Sequence, residues 1–181
     1  LSDEFLDSVA HSTTPNLQLG LLRRLLGDQI RTVSRKNLVK GRKFSEMLND
    51  ALTRYTNRSL TTAEIIAELV SLAKDMRADR ERAQQLGLSD AEIALYDAII
   101  QNDSAILEMG DETLKMIARE LVATIRSSAT LDWTVKESVR ARMRSRIKRL
   151  LAKYKYPPDK REQAVQLVIE QAEHLATGEQ D

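Results

Sequence analysis

Apolar side chains recur along this chain at intervals of three and four, the spacing that gathers them on one side of an α-helix, and no stretch alternates with a period of two. Residues 1–10 read as a short helix with Ser2 as N-cap, Asp3 and Glu4 in the first turn, and Phe5, Leu6 and Val9 on one side. HSTTPN breaks it. From Leu17 the positions Leu21, Leu22, Leu25, Leu26, Ile30 and Val33 trace a second helix, weakened by Gly20 and Gly27. After an interruption near 34–37, Leu38, Phe44, Met47, Leu48, Ala51, Leu52 and Tyr55 trace a third, ending near Asn57.

Paired capping residues mark the later helix starts. Thr61 with Glu64 has the spacing of a capping box, in which each side chain satisfies the other residue's backbone N–H. The stripe that follows, Ile65, Ile66, Leu69, Val70, Leu72, Ala73 and Met76, runs into the charged DMRADRERAQQ, and Gly87 offers a left-handed stop. Ser89 with Glu92 repeats the box ahead of Ile93, Leu95, Tyr96, Ile99 and Ile100. A looser segment, 102–112, leads to Leu114, Ile117, Leu121, Val122 and Ile125. Thr134 with Glu137 opens a basic helix whose row Val135, Val139, Met143, Ile147 and Leu151 is joined by Leu150 and Tyr154. Pro157 and Pro158 end it, and a last helix carries Ala164, Val165, Val168, Ile169, Ala172 and Leu175.

The pattern predicts an all-α chain, a multihelical bundle of seven or eight helices with no sheet. Residues 1–16 form a short helix and loop, 17–176 the main helical module with a soft boundary near 57–60, and 177–181 a frayed tail. No fixed-period repeat is present, which disfavours a solenoid.

Composition narrows the function classes. Gly and Pro together number nine of 181 residues, while Ala, Glu, Leu, Lys and Arg total 86, a balance that excludes turn-dense β folds and glycine-cradled nucleotide folds. There is no Cys, hence no disulfide, thiolate zinc site, iron–sulfur cluster or Cys nucleophile. No apolar run approaches the roughly 20 residues that span a bilayer, and a soluble, cytoplasmic protein without a membrane partner is expected. The formal net charge of +1 hides segregation: residues 23–43 sum to +7 and 136–161 to +9, leaving −15 elsewhere. Basic stretches on an acidic background suit polyanions or acidic partners, although solvated helix faces look alike.

Catalytic patterns are missing. Neither GxxxxGKS/T nor GxGxxG occurs, and no GxSxG elbow surrounds a serine. His11 and His174 belong to no metal-ligand spacing. Glu64 with Glu68, and Glu170 with Glu173, lack the paired ExxH motifs of di-iron bundles; 170–174 reads ExxEH with a single His. No catalytic, cofactor-binding or metal residue is expected in this chain.

The constellation that stands out is the helix over 134–155. Arg140, Arg144 and Lys148 step by four along one flank of its apolar stripe, and Arg142, Arg146, Arg149 and Lys153 occupy the other, with Lys155 beyond. Guanidinium forks hold phosphate and carboxylate oxygens bidentately. The alternative is a solvated or internally paired face, in which basic stems cover apolar neighbours. Arg31, Arg35, Lys36, Lys40, Arg42 and Lys43, with Arg23 and Arg24 upstream, form a second candidate surface. Trp133 suits a core or helix-start contact better than a stacking role.

Three segments carry a family resemblance: KNLVKGRKFSEMLNDALTRYTNR, RSLTTAEIIAELVSLAKDMRADRERAQQLGLSDAEIALYDAI, and LKMIARELVATIRSSATLDWTVKESVRARMRSRIKRLLAKYKYPPD with a closing helix ending in EQAE. Together they resemble the C-terminal helical region of the R (restriction and motor) subunit of type I restriction–modification enzymes, over roughly 17–175. The resemblance implies a parent subunit with a nuclease domain and two RecA-like motors that use ATP and Mg, none of whose motifs lie here. It implies attachment to the methyltransferase and specificity subunits and to the rest of the R subunit; DNA is a further candidate partner on the strength of the two basic stretches. The first residue, Leu1 rather than Met, agrees with a C-terminal piece. Two roles are expected: a non-catalytic assembly module, from the missing motifs and the matched segments, or an element that contacts the DNA backbone directly, from the two basic stretches.

Overall fold

The computed structural model describes residues 1–128 and 137–178. Among the described residues there are nine helices and no strand: α1 (Asp3–Ala10), α2 (Pro15–Lys36), α3 (Leu38–Thr56), α4 (Thr62–Gln85), α5 (Asp90–Ile99), α6 (Asp103–Met109), α7 (Asp111–Ser128), α8 (Glu137–Lys153) and α9 (Arg161–Gly178). None of these helices is long and apolar enough to cross a membrane. Thr134 of the third expected capping box, Trp133 and Val135 lie outside the described residues, as do 179–181 of the expected tail.

Helix starts follow the capping chemistry. The Ser2 hydroxyl accepts from the Phe5 N–H. At α4 the Thr61 N–H donates to Glu64 at 2.6 Å while the Glu64 N–H donates back to Thr61, and Ser89 with Glu92 does the same at α5. Pro15 of HSTTPN, expected only to interrupt, opens α2 in the first helical position, where its missing N–H costs nothing. The loose segment 102–112 contains α6, started by the Asn102 side chain accepting from the Ser104 N–H at 3.1 Å. That short helix raises the expected seven or eight to nine.

Two compact units divide the chain: Leu1–Ser34 with Lys40–Leu86, and Arg35–Val39 with Gly87–Asp181. The boundary expected near 57–60 falls at the α3–α4 turn inside the first unit. The first unit runs on to Leu86, and Gly87 adopts the left-handed conformation expected of it, with φ +65°.

In the first unit α1 packs on α4, and one apolar cluster unites Leu6 of α1, Leu22, Leu26 and Ile30 of α2, Phe44 and Leu48 of α3, and Ile65, Leu69 and Leu72 of α4. Leu21 and Met47, read as stripe positions, are exposed instead, as is Leu17. In the second unit α5 packs on α7 and α9, α7 on α8, and α8 on α9, a closed ring of four helices, with α6 laid on α7. Leu95 and Ile99, Leu114 and Leu121, Met143 and Ile147, and Val165 and Val168 bury one apolar row from each of the four.

Candidate functional site

The stripe that fixes α8 in the second unit is Met143, Ile147, Leu150 and Leu151, all buried. It divides the cations of the helix into two populations. Arg140, Arg144 and Lys148 are half-buried and meet α9: Arg140 Nε stands 2.6 Å from Glu173, Arg144 donates to Gln166 Oε1 at 2.9 Å, and Lys148 Nζ stands 2.7 Å from Glu162. Ascending residues on α8 meet descending ones on α9, so the helices run antiparallel and these contacts set their register. Such partly exposed pairs contribute only about 0–1 kcal/mol each.

The other population faces water. Arg142, Arg146 and Arg149 are exposed; Arg146 donates to the Ser128 hydroxyl, and among the described residues no carboxylate lies within ion-pair reach of any of the three. Lys153 stands 2.8 Å from Glu120, whose other oxygen accepts from the Tyr154 hydroxyl at 2.5 Å. The Lys153 and Tyr154 hydrogen bonds hold the Glu120 carboxyl below its ordinary range. Lys155 is exposed, with a left-handed backbone at φ +57°.

The second set divides between the two units. Lys40 is 8% exposed and its ammonium lies 2.6 Å from Asp79, so it is a buried ion pair. Arg31 pairs with Asp28 one turn earlier, and Lys36 reaches Asp90 at 2.7 Å. Arg42 and Lys43 are exposed, Lys43 standing 5.6 Å from the centre of the Phe44 ring. Arg35 and Lys36 belong to the second unit, the remaining four to the first.

Among the described residues no group of three or more His, Asp or Glu is placed to hold a metal ion. His11 Nδ1 donates to the Asp7 carbonyl, 2.9 Å away.

Three features escaped sequence reasoning. One is a buried polar cluster: Asn37 donates to Asp97 at 2.7 Å, the Leu38 N–H donates to Gln171 Oε1 at 2.7 Å, and Gln171 Nε2 donates to the Lys36 carbonyl. Its one sequence signal is Gln171 itself, a polar residue three positions after Val168 on an otherwise apolar side. Another is the loop after α8, where Asp159 accepts from Asn102 and Ser104. The Asn102 hydrogen bond is the largest influence lowering the Asp159 carboxyl. The third is a set of large apolar side chains left in water: Ile106 and Leu107 on α6, 47% and 85% exposed, and Met116 on α7, 52% exposed.

Comparison with known proteins supplies the context. Residues 1–178 match the family described as type I restriction enzyme HindI endonuclease subunit-like, C-terminal. The chain is 45% identical over 176 residues to the type I restriction enzyme HindI endonuclease subunit of Haemophilus influenzae, covering 97% of this chain and 17% of that one. It is 35% identical over 156 residues to a protein provisionally named the MjaIXP type I restriction endonuclease subunit, from Methanocaldococcus jannaschii, covering 84% of this chain and 15% of the other. The chain thus spans about a sixth of the length of these curated relatives. No solved structure matches it.

Proposed function

The chain belongs to the family of C-terminal regions of HindI-like type I restriction endonuclease subunits, and from that premise we propose that it is a non-catalytic helical assembly module that docks the nuclease and translocase parts of such a subunit onto a methyltransferase–specificity core. The ATP and Mg used by the full-length family bind, on this reading, outside this chain. The observation that carries the proposal is the exposed apolar set on α6 and α7. Leu107 leaves most of its surface in water, Met116 and Ile106 about half, on two helices that pack together. Apolar side chains of this size, held on rigid helices and rimmed by charge, are what the centre of a protein interface requires. Removing them from water provides affinity, while the surrounding charges select register and partner.

Sedimentation of the chain with the methyltransferase–specificity core tests the proposal. A stable complex is expected, and Leu107→Glu combined with Met116→Glu should weaken it at least tenfold while helicity is retained, since neither side chain contributes to the core. The proposal fails if the chain does not bind and its deletion from the full subunit leaves assembly unchanged.

A further inference from the structure

Besides the apolar set on α6 and α7, a second apolar face stands in water, on α2. Leu17 and Leu21, 72% and 41% exposed, lie one turn apart on the side of the helix opposite the buried Leu22, Leu26 and Ile30. Leu25 continues the row and lines, with Phe5 and Val33, a groove of about 450 Å³. Gly20 sits between the two leucines on the exposed side, and nothing lies within 4 Å of a Cβ added there. No packing inside the molecule therefore requires a residue that costs about 1 kcal/mol in mid-helix. What the missing side chain does allow is close approach of another backbone.

The two apolar faces carry opposite charge. Arg24, Arg31 and Arg80 border the α2 face and its groove, and the one carboxylate lining that groove, Asp28, is engaged by Arg31. Arg24 and Arg80 have no carboxylate partner among the described residues. Around Ile106, Leu107 and Met116 the balance is reversed. Asp103, Glu108, Asp111 and Glu112 stand there against Lys115 and Arg119; Lys115 holds Asp111 and Glu112, and Asp103 and Glu108 have no cationic partner among the described residues. Like faces therefore repel, α2 against α2 and α6 against α6, while unlike faces attract, which selects a heterologous contact over an isologous one. Shape agrees with charge. A groove takes a projecting apolar anchor, and Leu107 is 85% exposed.

We infer that the α2 face and its groove bind the α6 and α7 face of a second copy of this chain, head to tail. Leu107 of one copy enters the groove of the next, Gly20 admits the backbone of α6, and Arg24 and Arg80 face Asp103 and Glu108. Each contact leaves one face free at either end, so copies add in series or close into a ring. Where α6 and α7 also seat the core, as proposed above, self-association and docking exclude one another, and the α2 face of a neighbouring copy covers the docking face until the core displaces it. That last consequence alone rests on the docking proposal.

Sedimentation velocity of the chain across a concentration series tests it. The mass should rise above that of the monomer with concentration. Leu17→Glu with Leu21→Glu, and in a separate chain Leu107→Glu with Met116→Glu, should each weaken association at least tenfold. Mixed in equal amounts, the two variants retain one intact face of each kind and should form a dimer that grows no further. Gly20→Gln raises helix propensity, so its thermal midpoint should not fall, yet association should again weaken at least tenfold. If circular dichroism shows the leucine variant unfolded, Gly20→Gln alone decides. The inference is overturned if the chain is monomeric at every concentration, if the mixed variants do not pair, or if association is indifferent to Gly20→Gln. Adding the methyltransferase–specificity core should dissociate the copies. A core that binds a chain with no self-association sinks the inference and leaves docking in place; copies that associate as described beside a core that does not bind sink docking and leave the inference.

Discussion

Tyr156 is the largest wholly buried side chain among the described residues, and its hydroxyl donates to the Ile99 carbonyl at 2.6 Å. Burial pushes the phenol up to about 12, against about 10 in an unfolded chain. The folded state therefore favours the neutral phenol; that stabilisation is complete below about pH 10 and is lost as pH rises toward 12. A spectrophotometric titration of the four tyrosines should show one ionising last, together with loss of helicity. Tyr156→Phe should remove that step and cost about 1–3 kcal/mol in urea unfolding, because the Ile99 carbonyl loses its buried donor. Gly41 makes a second residue-scale argument. A Cβ there would lie 2.7 Å from Ser34 Cα, whereas nothing lies within 4 Å of one added at Gly20 or Gly27. Gly41→Ala should destabilise by about 1–3 kcal/mol through overpacking, and Gly27→Ala should stabilise by up to about 1 kcal/mol through helix propensity; urea midpoints of the two variants check the opposite signs. In the sequence these glycines look alike, since each interrupts a helical stripe. Only the approach of residues seven apart across the α2–α3 turn separates them.

The ends of α3 and α8 show how far helix boundaries are legible. Capping boxes at α4 and α5 stand in the sequence because both partners are local, three residues apart. The end of α8 is different: Pro157 and Pro158 suggest the stop, yet the helix closes earlier, where the Tyr156 N–H returns to the Leu151 carbonyl at 2.9 Å and the Lys155 N–H to that of Ala152 at 3.0 Å. This double closure needs a left-handed residue, usually glycine; here it is Lys155, and at the end of α3 it is Arg58, φ +59°. With no glycine present, the motif leaves no mark in the sequence. Lys155→Gly should relieve left-handed strain of about 1–2 kcal/mol at some cost in unfolded-chain entropy, a net gain of roughly 0.5–1 kcal/mol, read as a higher thermal midpoint. The basic character of α8 was equally plain in the sequence, down to its two flanks. Which flank would be covered was not, because that depends on Glu162, Gln166 and Glu173, supplied by a helix beginning beyond the proline turn.

At the scale of the molecule, the all-α class follows from a period that persists from end to end, whereas the division of the chain does not follow from local signals. Asn57 to Ser59 looks like a boundary because turn residues cluster there. A unit is defined by which faces bury against which, and α3 and α4 share one core across that turn. The second unit is also discontinuous, since it contains Arg35–Val39 from far upstream. Within it Asn37, Asp97 and Gln171 are buried polar groups that satisfy one another or the backbone, and buried groups of this kind are costly when left unpaired. A chain limited to residues 87–178 would keep α5 through α9 and lose the Asn37 and Leu38 donors and the Lys36 acceptor. It is expected to fold with helices intact but to be less stable than the same helices in the whole chain by about 1.5–4.5 kcal/mol, three hydrogen bonds at about 0.5–1.5 kcal/mol each. Hydrogen exchange at the amides of Leu95 on α5 and Val168 on α9 reads the difference directly. Asn37→Ala in the intact chain should lower protection at the same two amides while leaving Leu69 in the first unit unchanged. Equal protection at Leu95 and Val168 in both chains would show that the connector contributes no stability to the second unit, and that this unit is complete from Gly87 onward.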